Sequence, residues 1–183
     1  MLSLFAFPLF FSSCSKSCVN NFDFVGNNKV RTYKLQANIF VPDTMMTLTY
    51  TTSSSSGVFD FAITSSPSNA LQDKGYFYPC DDNLFFSTTS ASDAQSGENI
   101  YSPFTTNIGT AWSKKLSGGS TAALKVIEKN VSVTVLAGTF VCDKITTRVG
   151  NNLNVDTVYW NPKVGEVKYD GMILDYELTG KNF

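Results

Sequence analysis

The sequence predicts an all-β, mainly antiparallel fold, a strongly curved sheet or half-open barrel of roughly nine to eleven strands with few or no long helices. Three observations predict it. Apolar and polar residues alternate with period two from Val30 almost to the C-terminus. Clusters of Gly, Asn, Asp, Ser and Pro punctuate that alternation at short intervals. Hydrophobic residues reach 43% and aromatics 14%, against 16% charged, which is enough apolar surface for a core and too much for a disordered chain.

Taken in order, Arg31, Tyr33, Leu35, Ala37 and Ile39 face one way, while Thr32, Lys34, Gln36 and Asn38 face the other. This is a strand with one wet face. Met46, Leu48 and Tyr50 alternate with threonines, the run Ser53 to Gly57 forms a flexible tip, and Phe59, Phe61 and Ile63 return as the second arm of a long hairpin. Tyr76-Phe77-Tyr78 and Leu84-Phe85-Phe86 read as two short aromatic strands around the turn Pro79 to Asn83. Residues 87–99 are polar and read as a surface loop, followed by a short strand from Ile100 to Phe104. Thr121 to Glu128 has helical composition, but Val126-Ile127 leads directly into alternating Val131, Val133 and Val135, so strand is expected from Leu124 onward.

Two hairpin registers follow from turn chemistry. Gly138 tolerates positive φ, and with Val135 facing Phe140, Val133 falls opposite Cys142, which places that thiol on the apolar face. Asp170-Gly171 reads as a two-residue loop of the primed type, pairing Tyr169 with Met172 and Val167 with Leu174. The same register sets Glu166 opposite Asp175 on the wet face, with Lys168 close enough to screen the two charges.

Composition removes several function classes. Lys and Arg total 14, Asp and Glu 15, and His 0, a net charge of −1, which leaves no basic footprint for nucleic acid. Without histidine there is no Ser-His or Cys-His catalytic pair and no His-containing metal site. Asp81-Asp82-Asn83 lacks the register of a calcium loop and reads as turn-forming acids. No metal and no cofactor are expected, and the chain reads as non-enzymatic.

Residues Leu2 to Phe11 form an apolar run that would rise about 15 Å as a helix, half of a bilayer's hydrocarbon core. The run and the small residues after it have the shape of an export signal. Phe11-Ser12-Ser13-Cys14 resembles the lipobox of bacterial lipoproteins, which makes Cys14 the expected acylated residue, with Cys18 a second candidate. Residues 1–18 are then signal and tether, and 19–183 a single β-rich domain. Of the remaining cysteines, Cys80 and Cys142 either pair in an oxidising compartment or pack as buried thiols.

The C-terminal segments carry a family resemblance. Val131-Ser-Val-Thr-Val-Leu-Ala-Gly-Thr-Phe140 is similar to a V-x-V-P-A-G-T-F signature, and Tyr159-Trp-Asn-Pro-Lys-Val-Gly-Glu-Val-Lys168 to W-Y-x-x-G-V-G-L-V-K. Gly109-Thr-Ala-Trp112 supplies a preceding G-x-x-W segment. Leu136 stands in the place of proline, Lys163 of glycine and Glu166 of an apolar residue. The pattern resembles the TapB-like family of exported β-rich proteins, whose fold is akin to the LolA/LolB lipoprotein carriers.

The resemblance implies an outer-membrane lipoprotein, facing the periplasm or the cell surface and held to the membrane by its N-terminal lipid. In such a fold the concave face would bind an apolar or lipidic ligand. The aromatic residues placed to wall it are Tyr33, Phe59, Phe61, Tyr76, Trp112 and Trp160, unless they fill an ordinary core instead. The alternative is a structural or assembly protein that docks a cell-envelope partner through a sheet edge or an aromatic patch around Phe85 and Phe86.

Overall fold

The computed structural model describes residues 18–37, 44–52, 55–66, 73–151 and 153–183. These form a twelve-stranded antiparallel sheet rolled into a nearly closed barrel. The strands are β1 (Val30–Ala37), β2 (Thr44–Thr52), β3 (Phe59–Ser66), β4 (Asp73–Cys80), β5 (Asn83–Ser87) and β6 (Ile100–Pro103). They continue as β7 (Ala111–Lys115), β8 (Thr121–Val135), β9 (Gly138–Val149), β10 (Asp156–Asn161), β11 (Gly165–Asp170) and β12 (Leu174–Lys181). The strand beyond the expected nine to eleven is β7. Its sequence, Ala-Trp-Ser-Lys-Lys, has an inward face made of one aromatic and one charged residue, Trp112 and Lys114, so hydrophobic alternation does not reveal it. Residues 87–99 hold a five-residue helix, α1 (Ala91–Gln95), where a loop was expected; the Ser90 hydroxyl caps it by accepting from the Asp93 amide.

The strand order runs from β6 down to β1 and then from β12 down to β7. Every ladder therefore joins strands consecutive in sequence, except the β1–β12 ladder, which joins the two ends of the sheet-forming chain. Edge strands β6 and β7 close the ring without a continuous ladder. Asn99 acts as a substitute strand there: its side-chain oxygen accepts from the Lys115 amide at 2.8 Å and its amide group donates to the Lys115 carbonyl at 3.2 Å. The Trp112 indole adds a bond to the Tyr101 carbonyl at 3.3 Å. Both edges are thereby shielded from pairing with another chain.

One end of the barrel is plugged. The segment before β1 is fixed by a disulfide from Cys18 to Cys80, whose Cα atoms lie 4.5 Å apart, and by a bridge from Asn20 to Asp81. It inserts Phe22, Phe24 and Val25, all at most 2% exposed. Phe22 meets Phe104, and Phe24 meets Trp160, each edge to face with centroids 5.4 Å apart. Arg31 lies over the Phe24 ring at 4.5 Å and donates to the Val164 carbonyl. Gly165 permits this, because a Cβ there would sit 2.0 Å from the Arg31 guanidinium. The disulfide corrects the sequence expectation for the cysteines. Cys80 pairs with Cys18, which the sequence places in the tether, and Cys142 is a buried free thiol. Burial, then the neighbouring Asp143 charge, pushes that thiol up to about 12. Cys14 lies outside the described residues.

The long β8–β9 hairpin bends over the same end. Irregular pairing between Val126 and Val131 curves it, and at its tip the Ala137 amide donates to the Leu178 carbonyl of β12. Its register differs from the expected one: Val135 pairs with Gly138, Val133 with Phe140 and Val131 with Cys142. The connection is the pair Leu136-Ala137, and Gly138, at φ 127°, begins the return strand. Cys142 still faces the core.

Candidate functional site

A barrel of this size has more interior than its own side chains fill. The plug, the bent hairpin and an aromatic cluster occupy the closed half. In that cluster the ring centroids of Phe61, Phe77 and Phe86 lie 4.8 to 5.8 Å apart. Gly75 stands opposite Phe61 on the neighbouring strand, and a Cβ there would fall 2.7 Å from its ring. The other half holds a cavity of about 630 Å³. It reaches the strand ends opposite the plug, where Asp73, Val149 and Leu174 line it. Its walls are mainly apolar, with Leu48 from β2, Leu124 from β8, Ile145 from β9, and Val158 and Trp160 from β10.

Within those walls sits a polar cluster assembled from opposite sides of the ring. Glu166 on β11 accepts from the Tyr101 hydroxyl of β6 at 2.7 Å through one oxygen and from the Tyr176 hydroxyl of β12 through the other. Tyr33 on β1 donates to the Glu166 carbonyl at 3.0 Å. Tyr101 therefore ties an edge strand to the far wall across the lumen. Lys114 on β7 places its ammonium 4.1 Å from the centre of the Tyr101 ring. Among the described residues that ammonium makes no hydrogen bond or ion pair. Burial lowers the Lys114 ammonium below the ordinary lysine value, while the Glu166 charge pulls the other way. Burial, then the Glu166 charge, raises the Tyr176 phenol well above 10.

The inward position of Glu166 corrects the sequence reading. β10 and β11 pair Tyr159 with Lys168 but Trp160 with Glu166, so Val167 is an extra residue on β11. This bulge rotates Glu166 onto the face of Trp160. The β11–β12 register is also wider than expected. Tyr169 pairs with Tyr176, not Met172, their rings stacked at 5.0 Å, and Glu166 does not oppose Asp175. Neither Asp170 nor Gly171 takes the positive φ of a primed turn. Instead carboxylates hold the loop open, Asp175 accepting from the Gly171 amide at 2.8 Å and Asp156 from the Met172 amide at 3.1 Å.

Of the six aromatic residues expected to wall a ligand site, the cavity gathers Tyr33, Trp112 and Trp160. Phe61 belongs to the packed aromatic cluster, and Phe59 packs against the core without lining the cavity. Tyr76 alternates with inward Gly75 and Phe77, so it lies on the outer face. Phe86 is 8% exposed and does not form a surface patch, while Phe85 stacks against Tyr78. Sequence reasoning missed Tyr101, Lys114, Glu166 and Tyr176 as a group. The departure of Glu166 from an otherwise apolar position in the C-terminal pattern was the available signal.

No family model matches the chain, and no curated protein matches it. Among solved structures, a protein of Bacteroides fragilis, provisionally described as exported and as having a YMCC-like fold, aligns with a TM-score of 0.57. It is 10% identical, over 88% of this chain and 99% of its own. A protein of Parabacteroides distasonis, provisionally described as a lipoprotein, aligns with a TM-score of 0.54. It is 15% identical, over 91% of this chain and 100% of its own. At these identities the likeness is one of fold: the chain shares its rolled antiparallel sheet with both.

Proposed function

We propose that this chain is a non-enzymatic exported lipoprotein of the outer membrane, TapB-like in sequence and akin in fold to the LolA/LolB carriers, that holds an apolar or lipidic ligand inside its barrel. The observation that carries the reading is the cavity of about 630 Å³, within the range of small-molecule sites and walled mainly by aliphatic and aromatic side chains. The provisional descriptions of the two structural neighbours support export, and the disulfide fits an oxidising compartment. Each Glu166 oxygen accepts from one phenol, which fixes the carboxylate as an acceptor with lone pairs left for a ligand.

The test is extraction of protein purified without detergent, followed by mass spectrometry of the organic phase. We expect a near-stoichiometric amphiphile. Its absence, together with no uptake of an acyl probe, would sink the reading. Anchoring is tested separately: Cys14→Ala abolishes labelling by a fatty-acid analogue, whereas retained label moves the anchor elsewhere. A second reading, docking of an envelope partner, is favoured by exposed Leu153 (90%), Ile173 (70%) and Met172 (54%) in loops at the open rim.

A further inference from the structure

The cavity is not uniformly greasy, and its polar cluster is electrically balanced. Lys114 and Glu166 both line the cavity and meet at Tyr101, whose hydroxyl donates to Glu166 at 2.7 Å and whose ring centre lies 4.1 Å from the Lys114 ammonium. The phenols of Tyr101 and Tyr176 already satisfy the Glu166 oxygens once each, leaving further lone pairs. The Lys114 ammonium has three hydrogens and, among the described residues, only the Tyr101 ring face as a partner. A pure hydrocarbon filling this space would strip water from that ammonium and return nothing. A carboxylate head would pair with Lys114 but would face Glu166 and leave the cluster with excess negative charge. A hydroxyl both accepts from an ammonium and donates to a carboxylate.

Resting on the cavity reading above, we propose that the ligand is a single-chain amphiphile with an uncharged, hydroxyl-bearing head, which Lys114 and Glu166 grip together while its chain lies against Leu48, Leu124, Ile145 and Val158. The volume agrees. At ~30 Å³ for each water-sized atom, 630 Å³ holds roughly 20 non-hydrogen atoms, room for one chain and a small head.

Both tryptophans of the sequence line the cavity, so intrinsic fluorescence reports its occupancy directly. The test titrates delipidated full-length protein at neutral pH with tetradecanol, myristate and tetradecane. Tetradecanol should bind about tenfold more tightly than either of the others, the ratio one net hydrogen bond supplies. In Glu166→Gln, myristate should gain about tenfold because Lys114 is then left uncompensated, while tetradecanol should weaken about threefold as its hydroxyl loses the charged acceptor, so that myristate becomes the tighter ligand. Myristate binding the wild type as tightly as the alcohol, or an unchanged order in the variant, overturns the proposal. Should Glu166→Gln lose its near-ultraviolet circular dichroism, Lys114→Met carries the test. There the preference for alcohol over alkane must fall at least about fivefold, and an unchanged preference overturns the proposal. A wild type that responds to none of the three probes fails the cavity reading itself.

Discussion

Glu166 reaches the barrel interior because Val167 is an extra residue in its strand, and it stays there because two phenols meet it. Hydrogen bonds to a charged acceptor contribute about 1.5–3 kcal/mol each, so Tyr176→Phe should lower unfolding free energy by about that amount in urea titrations. The pH response has a definite sign. Burial, then the Glu166 charge, raises the folded Tyr176 phenol well above 10; burial, then the bond to Asp156, raises Tyr169. Unfolded phenols titrate near 10. The stabilisation is therefore complete below about pH 10 and lost as pH rises through the folded values. Urea midpoints measured between about pH 8 and about pH 11 should fall more steeply for the wild type than for the Tyr169→Phe, Tyr176→Phe double variant; parallel curves would remove these phenols from the explanation.

At the scale of the element, the strands were legible because each buries one face, and that face writes its period into the sequence. Phe59 to Ile63 opposite Leu48 to Thr52, and Tyr76 to Cys80 opposite Asn83 to Ser87, pair as alternation and turn residues imply. What was not legible has a common cause. A bulge changes which face a residue occupies without changing its neighbours in sequence, so Glu166 read as wet. A loop held by remote carboxylates, as Asp156 holds Met172, does not obey local turn preferences. The seam between β6 and β7 likewise depends on side chains, Asn99 bonding the Lys115 backbone and Trp112 the Tyr101 carbonyl, where a ladder would otherwise run. Asn99→Ala should cost about 1–2 kcal/mol and speed hydrogen exchange at the Lys115 amide relative to amides of β8; unchanged exchange there would mean the seam is held elsewhere.

At the scale of the molecule, alternation and turns identified an all-β curved sheet, but closure brought together residues that no local pattern connects. Tyr101 and Glu166 are 65 positions apart in sequence, and Cys18 and Cys80 are 62 apart. The cysteine pairing was unreadable because Cys18 looked like part of the tether, whereas folding returns it to the end of β4. Closing a chain loop of that length is worth about 2–4 kcal/mol in stability, so the Cys18→Ser, Cys80→Ser double variant should shift the urea midpoint accordingly. It should also expose the plug carrying Phe22 and Phe24 to limited proteolysis; an unaltered cleavage pattern would show that apolar packing alone holds the plug.

The ladder between β1 and β12 has a kinetic consequence. Residues such as Leu35 and Tyr176 must find each other across nearly the whole polypeptide, while every other ladder zips outward from a nearby reversal of the chain. Loop-closure entropy makes that meeting costlier than closing any single hairpin, which favours two arcs of hairpins forming before they join there. Until they do, both arcs expose unpaired backbone, and the nascent protein is most prone to self-association during that interval.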